Sequence, residues 1–158
     1  MLAHRVCIYM ANDGEMPLQN IANFLWSRKR QAVLPVLFGR RSRIMHFAPY
    51  HQNTRFKLNR FGIPEPAIKI RNLLKQQELD LVLMPLVGFD CNGNRLGMGG
   101  GFYDRTFSYL RHRKCWRKPC LIGIAYDFQE IAELPADNWD VPLDYIVTQT
   151  RIIKVKEK

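Results

Sequence analysis

Residues 79–104 read LDLVLMPLVGFDCNGNRLGMGGGFYD. The first eleven form an almost uninterrupted apolar run. Central strands of a parallel sheet have this composition, because helices cover both of their faces. The segment DCNGN then closes the run with turn-forming residues. Four glycines follow within five positions: Gly97, Gly99, Gly100 and Gly101. Glycine loses more backbone freedom on folding than any other residue, so such a cluster points to tight turns or to close approach of the backbone to a ligand. Beyond it, Phe102, Phe107 and Leu110 are spaced as on a helix. The stretch therefore reads as a buried strand, a glycine loop and a helix.

Working outward, the alternation continues. RVCIYMA (5–11) is a compact strand-forming run, and Leu18, Ile21, Phe24 and Leu25 recur at helical spacing. Pro17 suits the first turn of that helix, and Glu15 suits its positive end. AVLPVLF (32–38) reads as a second strand, and RIMHFAPY (43–50) as a third that returns hairpin-like after GRRS. Residues 51–66 look irregular and end in FGIPEP. AIKIRNLLKQQ (67–77) reads as a short amphipathic helix. CLIGIAY (120–126) is another buried strand, and YIVTQT (145–150) the last one. With no internal repeat or linker, the pattern predicts one α/β domain over 1–158 with a mostly parallel sheet.

Composition limits the function. No apolar run approaches the roughly 18 residues that span a membrane, and the first residues lack a secretory leader's apolar core; a cytoplasmic protein is expected. The four cysteines, Cys7, Cys91, Cys115 and Cys120, lack paired metal-ligand spacing and read as reduced thiols. The net charge of +10, from 24 Lys+Arg against 14 Asp+Glu, predicts anionic partners. Basic blocks fall at 28–30, 39–43, 55–60 and 111–118. For any one block a solvated surface is the plain reading; the others are nucleic acid and a polyanionic small molecule.

The glycine loop's place suggests which anion. In open α/β sheets ligands bind beyond the carboxyl ends of the strands. Free N–H groups at a helix start or in a glycine nest attract phosphate, and Arg95 adds a charged donor. The loop matches neither common phosphate-binding glycine motif, and a plain flexible turn is the alternative. Asp104 reads either as a helix-dipole acid or, beside a phosphate, as a ligand to magnesium, which takes carboxylate and phosphate oxygens together. Asp144, at the start of the last strand, is a second candidate, or simply a turn residue.

With these residues in place, LVLMPLVGFDCNGNRLGMGGGFYDRTFSYL (81–110) resembles the signature of the 5-formyltetrahydrofolate cyclo-ligase family. YMANDGE (9–15), FGIPEP (61–66), IGIAYDFQ (122–129) and ELPADNWDVPLDYIVT (133–148) resemble further family segments in order, so the likeness spans essentially the whole chain. The resemblance implies an α/β/α three-layer sandwich around a Rossmann-like, mostly parallel sheet of the NagB/RpiA/CoA-transferase type. It implies Mg-ATP-dependent conversion of 5-formyltetrahydrofolate to 5,10-methenyltetrahydrofolate, with release of ADP and phosphate. By the same resemblance ATP is bound by Arg95, Leu96, Gly97, Met98, Gly99, Gly100, Gly101, Phe102 and Tyr103. The folate is bound by Met10, Glu15 and the shared stretch Met98, Gly99, Gly100, Gly101 and Phe102, and Mg²⁺ by Asp104 and Asp144. No single catalytic residue is assigned. Taken alone, Glu15 would read as a helix-start acid and Met10 as core.

The expected partners are small molecules, with no specific nucleic acid, no membrane, and a monomer or weak dimer. Family members usually begin with a basic helix before the first strand, which carries a phosphate-binding Lys or Arg; this sequence reaches its first strand near residue 5. Three readings of that difference stand: a fragment or alternative start, a charge supplied from elsewhere such as 28–30 or a partner chain, or a member that binds nucleotide or folate with little activity. A basic nucleic-acid-binding protein is the reading from another class, and it leaves RLGMGGGFYD without a purpose.

Overall fold

The computed structural model describes residues 3–37, 43–112 and 118–156. The predicted GRRS turn, most of the basic blocks at 39–43 and 111–118, and Cys115 lie outside the described residues. Strand β1 (Arg5–Cys7) leads through helix α1 (Gln19–Ser27) to β2 (Gln31–Val36), which pairs with β3 (His46–Tyr50). A hairpin of β4 (Phe56–Leu58) and β5 (Pro64–Pro66) precedes β6 (Leu81–Pro85). A second hairpin, β7 (Gly88–Phe89) and β8 (Arg95–Leu96), leads to α2 (Phe102–Phe107). Then follow β9 (Cys120–Ile124), β10 (Tyr145–Val147) and β11 (Ile152–Lys154).

Seven strands share one sheet in the order β11-β10-β9-β6-β1-β2-β3. The five inner strands are parallel, and the two edges, β3 and β11, are antiparallel. β6 lies at the centre, as its apolar run requires. Successive strand side chains point to opposite faces, and the core divides accordingly. Val6, Ile8, Ala32, Leu34 and Leu83 pack beneath Leu18, Ala22 and Leu25 of the α1 segment. Cys7, Val33, Val82, Met84 and Leu121 pack on the other face with Phe107 and Leu110. Fully burying one such side chain as large as Phe107 stabilises the fold by roughly 2–3 kcal/mol. The result is the expected α/β architecture with a layer on each side of a mostly parallel sheet.

Several local expectations are corrected. The predicted helix at 67–77 is two single 3-10 turns, Ile70–Asn72 and Gln76–Glu78. Between them Leu74 exchanges both backbone hydrogen bonds with Phe47 of β3, at 3.1 and 2.7 Å, which a helix would forbid. Residues 51–66 are not irregular throughout, since they contain the β4–β5 hairpin. YIVTQT is not the last strand: β11 returns along β10. β1 ends at Cys7 rather than continuing to residue 11. α1 begins at Gln19, so Pro17 lies before its first turn, and Glu15 accepts the Asn12 N–H at 3.0 Å instead of capping the helix. No helix among the described residues is long and apolar enough to cross a membrane.

Candidate active site

The glycine loop begins at the carboxyl end of β6. The Val87 N–H donates to the Leu96 carbonyl at 2.7 Å, and the Gln129 amide donates to the Leu86 and Val87 carbonyls at 2.8 and 3.1 Å. Asp90 closes the DCNGN turn from a fully buried position, accepting the backbone N–H groups of Asn92, Asn94 and Leu134. Burial opposes its charge, but these hydrogen bonds outweigh that and hold its carboxyl below the usual range. The loop is thus mounted on a rigid base. Gly99 and Gly101 have φ of +76° and +58°, in the left-handed region that glycine enters without penalty. A Cβ on Gly101 would also stand 2.7 Å from Arg105 Nη1. Met98, just before Gly99, is 61% exposed.

The two ends of the loop meet. Arg95 Nη2 donates to Asp104 Oδ1 at 2.6 Å, with the side chains 6% and 18% exposed. Asp104 Oδ1 also accepts the Val141 N–H at 3.3 Å. The Arg95 guanidinium lies 5.7 Å from the Tyr103 ring centroid, and Tyr103 stacks on Phe107. Arg95 Nε is buried with no hydrogen-bond partner. An unmade hydrogen bond on a buried charge is costly, and an incoming anion would complete it. α2 has only six residues, so its helix dipole is weak, and the donors at this place are the loop's own N–H groups and Arg95. Arg105 braces the loop from outside, donating to the Gly100 carbonyl and, at 3.2 Å, to the Arg43 carbonyl.

The second half of the site comes from the end of β1. Asp13 and Gly14 adopt φ of +49° and +80°, turning the chain sharply so that Glu15 folds back. Burial pushes the Glu15 carboxyl up, the Asn12 N–H pulls it back, and Asp13 pushes it up again. The Tyr9 hydroxyl donates to the Met16 carbonyl at 3.0 Å. The Tyr103 phenol is pushed up mainly by burial, then by Cys7, with Arg95 opposing and Glu15 and Tyr9 adding to the rise. β1 runs parallel beside β6, so the segment leaving its carboxyl end, with Tyr9 and Glu15, opens at the same edge of the sheet as the glycine loop. Met10 is half-buried on the same segment.

Asp144 stands apart from this. Its Oδ2 accepts the Leu121 N–H at 2.7 Å at the amino ends of β9 and β10. Among the described residues no group of three or more His, Cys, Asp or Glu forms a ready-made metal cage. Asp104, with one oxygen turned to Arg95, fits a magnesium shared with phosphate and water; Asp144 would have to release Leu121 first.

Sequence reasoning missed the wall that faces the loop. The tip of the β4–β5 hairpin brings Phe61 edge-on to Phe102, ring centroids 5.8 Å apart, with the Arg60 guanidinium 4.9 Å from Phe61 and 5.7 Å from Phe102. The FGIPEP segment could have signalled it. Its Glu65, 4% exposed, takes the Leu37 N–H at 3.1 Å and pairs with Lys57 at 3.5 Å, fixing the hairpin to the end of β2. A shallow open depression of about 430 Å³ lies elsewhere, lined by Trp26, Lys29, Arg30, His51, Gln52 and Asn53. It sits at the amino end of β2 and touches none of the site residues.

Comparisons with known proteins place the chain in a family. Residues 1–149 match the 5-formyltetrahydrofolate cyclo-ligase family. The 5-formyltetrahydrofolate cyclo-ligase of Escherichia coli K12 is 38% identical over 152 residues, 96% of this chain and 81% of that protein. Its Haemophilus influenzae namesake is 41% identical over 141 residues, 89% and 73% of the two chains. The NMR structure of Aquifex aeolicus 5,10-methenyltetrahydrofolate synthetase superposes with a TM-score of 0.79 at 28% identity, covering 99% of this chain and 74% of that one.

Proposed function

The chain belongs to the 5-formyltetrahydrofolate cyclo-ligase family, and from that premise we propose that it converts 5-formyltetrahydrofolate and ATP to 5,10-methenyltetrahydrofolate, ADP and phosphate. In this reading the formyl oxygen attacks the γ-phosphorus and ADP leaves. N10 then attacks the activated formyl carbon, the five-membered ring closes, and the C–O bond breaks to release phosphate. The protein's task is positioning and charge neutralisation, which dominate phosphoryl transfer. The glycine N–H groups from Gly97 to Gly101 cradle the phosphates, with Leu96, Met98, Phe102 and Tyr103 shaping the channel. Arg95 makes its missing Nε hydrogen bond to a phosphate oxygen. Glu15 accepts hydrogen bonds from pterin N–H groups, and Met10 packs against the pterin.

Magnesium would neutralise phosphate charge, held by Asp104 with Asp144 as the second candidate. The observation that carries the reading is the buried Arg95 guanidinium, aligned by Asp104 at the base of the glycine loop with its buried Nε unpartnered. The test is the absorbance of 5,10-methenyltetrahydrofolate on mixing protein, 5-formyltetrahydrofolate, ATP and Mg²⁺. Product that needs ATP and Mg²⁺ is expected. Folate and ATP binding without product would mark a binding-only member, and binding of neither would overturn the reading.

A further inference from the structure

The β4–β5 hairpin tip is built to hold one side chain still. Asn59 Oδ1 accepts the N–H groups of Phe61 and Ile63 at 2.9 and 3.1 Å. The Asn59 N–H reaches the Ile63 carbonyl at 3.0 Å, and Gly62 turns the chain at φ +75°. Glu65 ties the base of the hairpin to β2. Arg60 therefore stands over Phe61 and Phe102 on a pre-formed support. Arg105 also places its guanidinium 5.5 Å from the Phe102 centroid. Arg105 donates to two carbonyls and makes no ion pair with a carboxylate among the described residues. Two exposed guanidiniums thus share one aromatic ring at the mouth of the glycine loop.

We propose that Arg60, supported by Arg105, recognises the carboxylates of the substrate's glutamyl tail. This rests on the function proposed above. That substrate pair has two kinds of anion, phosphates and tail carboxylates. The phosphates belong on the inner side of the loop, with Arg95, whose side chain is 6% exposed. Arg60 and Arg105 are exposed, and a folate's amino-acid tail is the end that must run out to solvent. A guanidinium fork also matches a carboxylate's two oxygens.

The test is a cycle of two proteins and two substrates, wild type and Arg60→Gln against 5-formyltetrahydrofolate and 5-formyltetrahydropteroate, which lacks the glutamyl residue. Removing the glutamyl group is expected to raise the wild-type folate KM by about five- to tenfold, the scale of one charge-assisted contact weakened by solvent. In Arg60→Gln the same removal should change KM by no more than roughly twofold, because the contact is already gone. Arg60→Lys should restore part of the dependence, and KM for ATP should not move. Equal tail dependence in both proteins overturns the proposal, and so does a shift confined to KM for ATP, which would assign Arg60 to phosphate. Absence of any product from wild type would count against the proposed reaction instead; the same cycle read as folate affinity by calorimetry then decides the role of Arg60.

Discussion

Arg95 and Asp104 face each other at 2.6 Å, joining the strand before the glycine loop to the helix after it. Nine positions apart in sequence, the two side chains clamp the loop at its base. The same pair sets the site's charge: the Arg95 Nε is buried without a partner, and Asp104 is oriented by Arg95 and the Val141 N–H.

Asp104→Ala is therefore expected to do two things. It leaves a buried guanidinium without its carboxylate, which costs roughly 3 kcal/mol of stability, at the lower end for broken buried pairs. It also removes product formation. The double variant Arg95→Leu/Asp104→Leu should regain most of the stability in urea denaturation and none of the activity. If the double variant proves as unstable as Asp104→Ala, the pair is not coupled as described.

The glycines divide into two groups. Gly101→Ala forces a side chain into left-handed backbone and onto Arg105 Nη1 at 2.7 Å, so a loss of about 1–2 kcal/mol is expected. Gly97 has no positive φ, and a Cβ there meets only Arg95 Nη1, at an ordinary 3.5 Å. Gly97→Ala should keep its melting temperature yet weaken ATP binding, because the methyl stands where phosphate approaches. Unchanged ATP affinity in a calorimetric titration would show that Gly97 serves the turn and not the ligand.

How much of this was legible in the sequence depends on how local each cause is. β6 was readable because burial on both faces writes a continuous apolar run. The glycine loop was readable because φ above zero and close approach select one residue type. The 67–77 segment was not, because Leu73 and Leu74 have helical spacing while the backbone of Leu74 is claimed by Phe47, 27 positions earlier. β4 and β5 were missed because prolines flank Glu65 and the strands are three residues each. At the site, Arg95, Asp104 and Glu15 were named one by one, but the contact between Arg95 and Asp104 arises only in three dimensions. Arg60 reaches Phe102 from 42 positions away, and nothing in a one-dimensional pattern joins them.

Glu15 should show a conflict between stability and binding. Burial raises its carboxyl's pKa, so the charged form is disfavoured by the fold, and the stability linked to this group is lost as pH rises through that raised value. Glu15→Gln is expected to be as stable as wild type or slightly more so at pH 7. It should bind 5-formyltetrahydrofolate about tenfold or more weakly, with ATP affinity unaffected, since it loses a charged acceptor for pterin N–H groups. In wild type, folate affinity should fall as pH drops through the raised Glu15 value, and Glu15→Gln should lack that limb. A variant that binds folate normally would remove Glu15 from the site.

Asp80 gives the opposite sign at the opposite end of the sheet. It interrupts the apolar run before β6, and its Oδ2 accepts the N–H groups of His4 and Arg5 at 2.7 and 2.9 Å while Oδ1 takes the Lys118 ammonium. Its own N–H and carbonyl pair with Arg5 and Cys120, so it ties together the amino ends of β1, β6 and β9. Burial works against its charge, but Lys118 and the two N–H groups outweigh it and hold the carboxyl down from 3.8 to about 2. A depressed folded-state pKa stabilises the fold above the unfolded value, and that stability is lost as pH falls from about 4 to about 2. Asp80→Asn should cost about 1–2 kcal/mol at pH 7, the lower figure allowing for the half-exposed Lys118. The gap between variant and wild type should close across that acid window in urea denaturation. A gap that stays constant from pH 7 to pH 2 would mean that the hydrogen bonds, and not the ionised carboxylate, hold the three strands. Because Asp80 lies at the far end of β6 from the glycine loop, kcat for the folate reaction should be the same in both proteins wherever both remain folded.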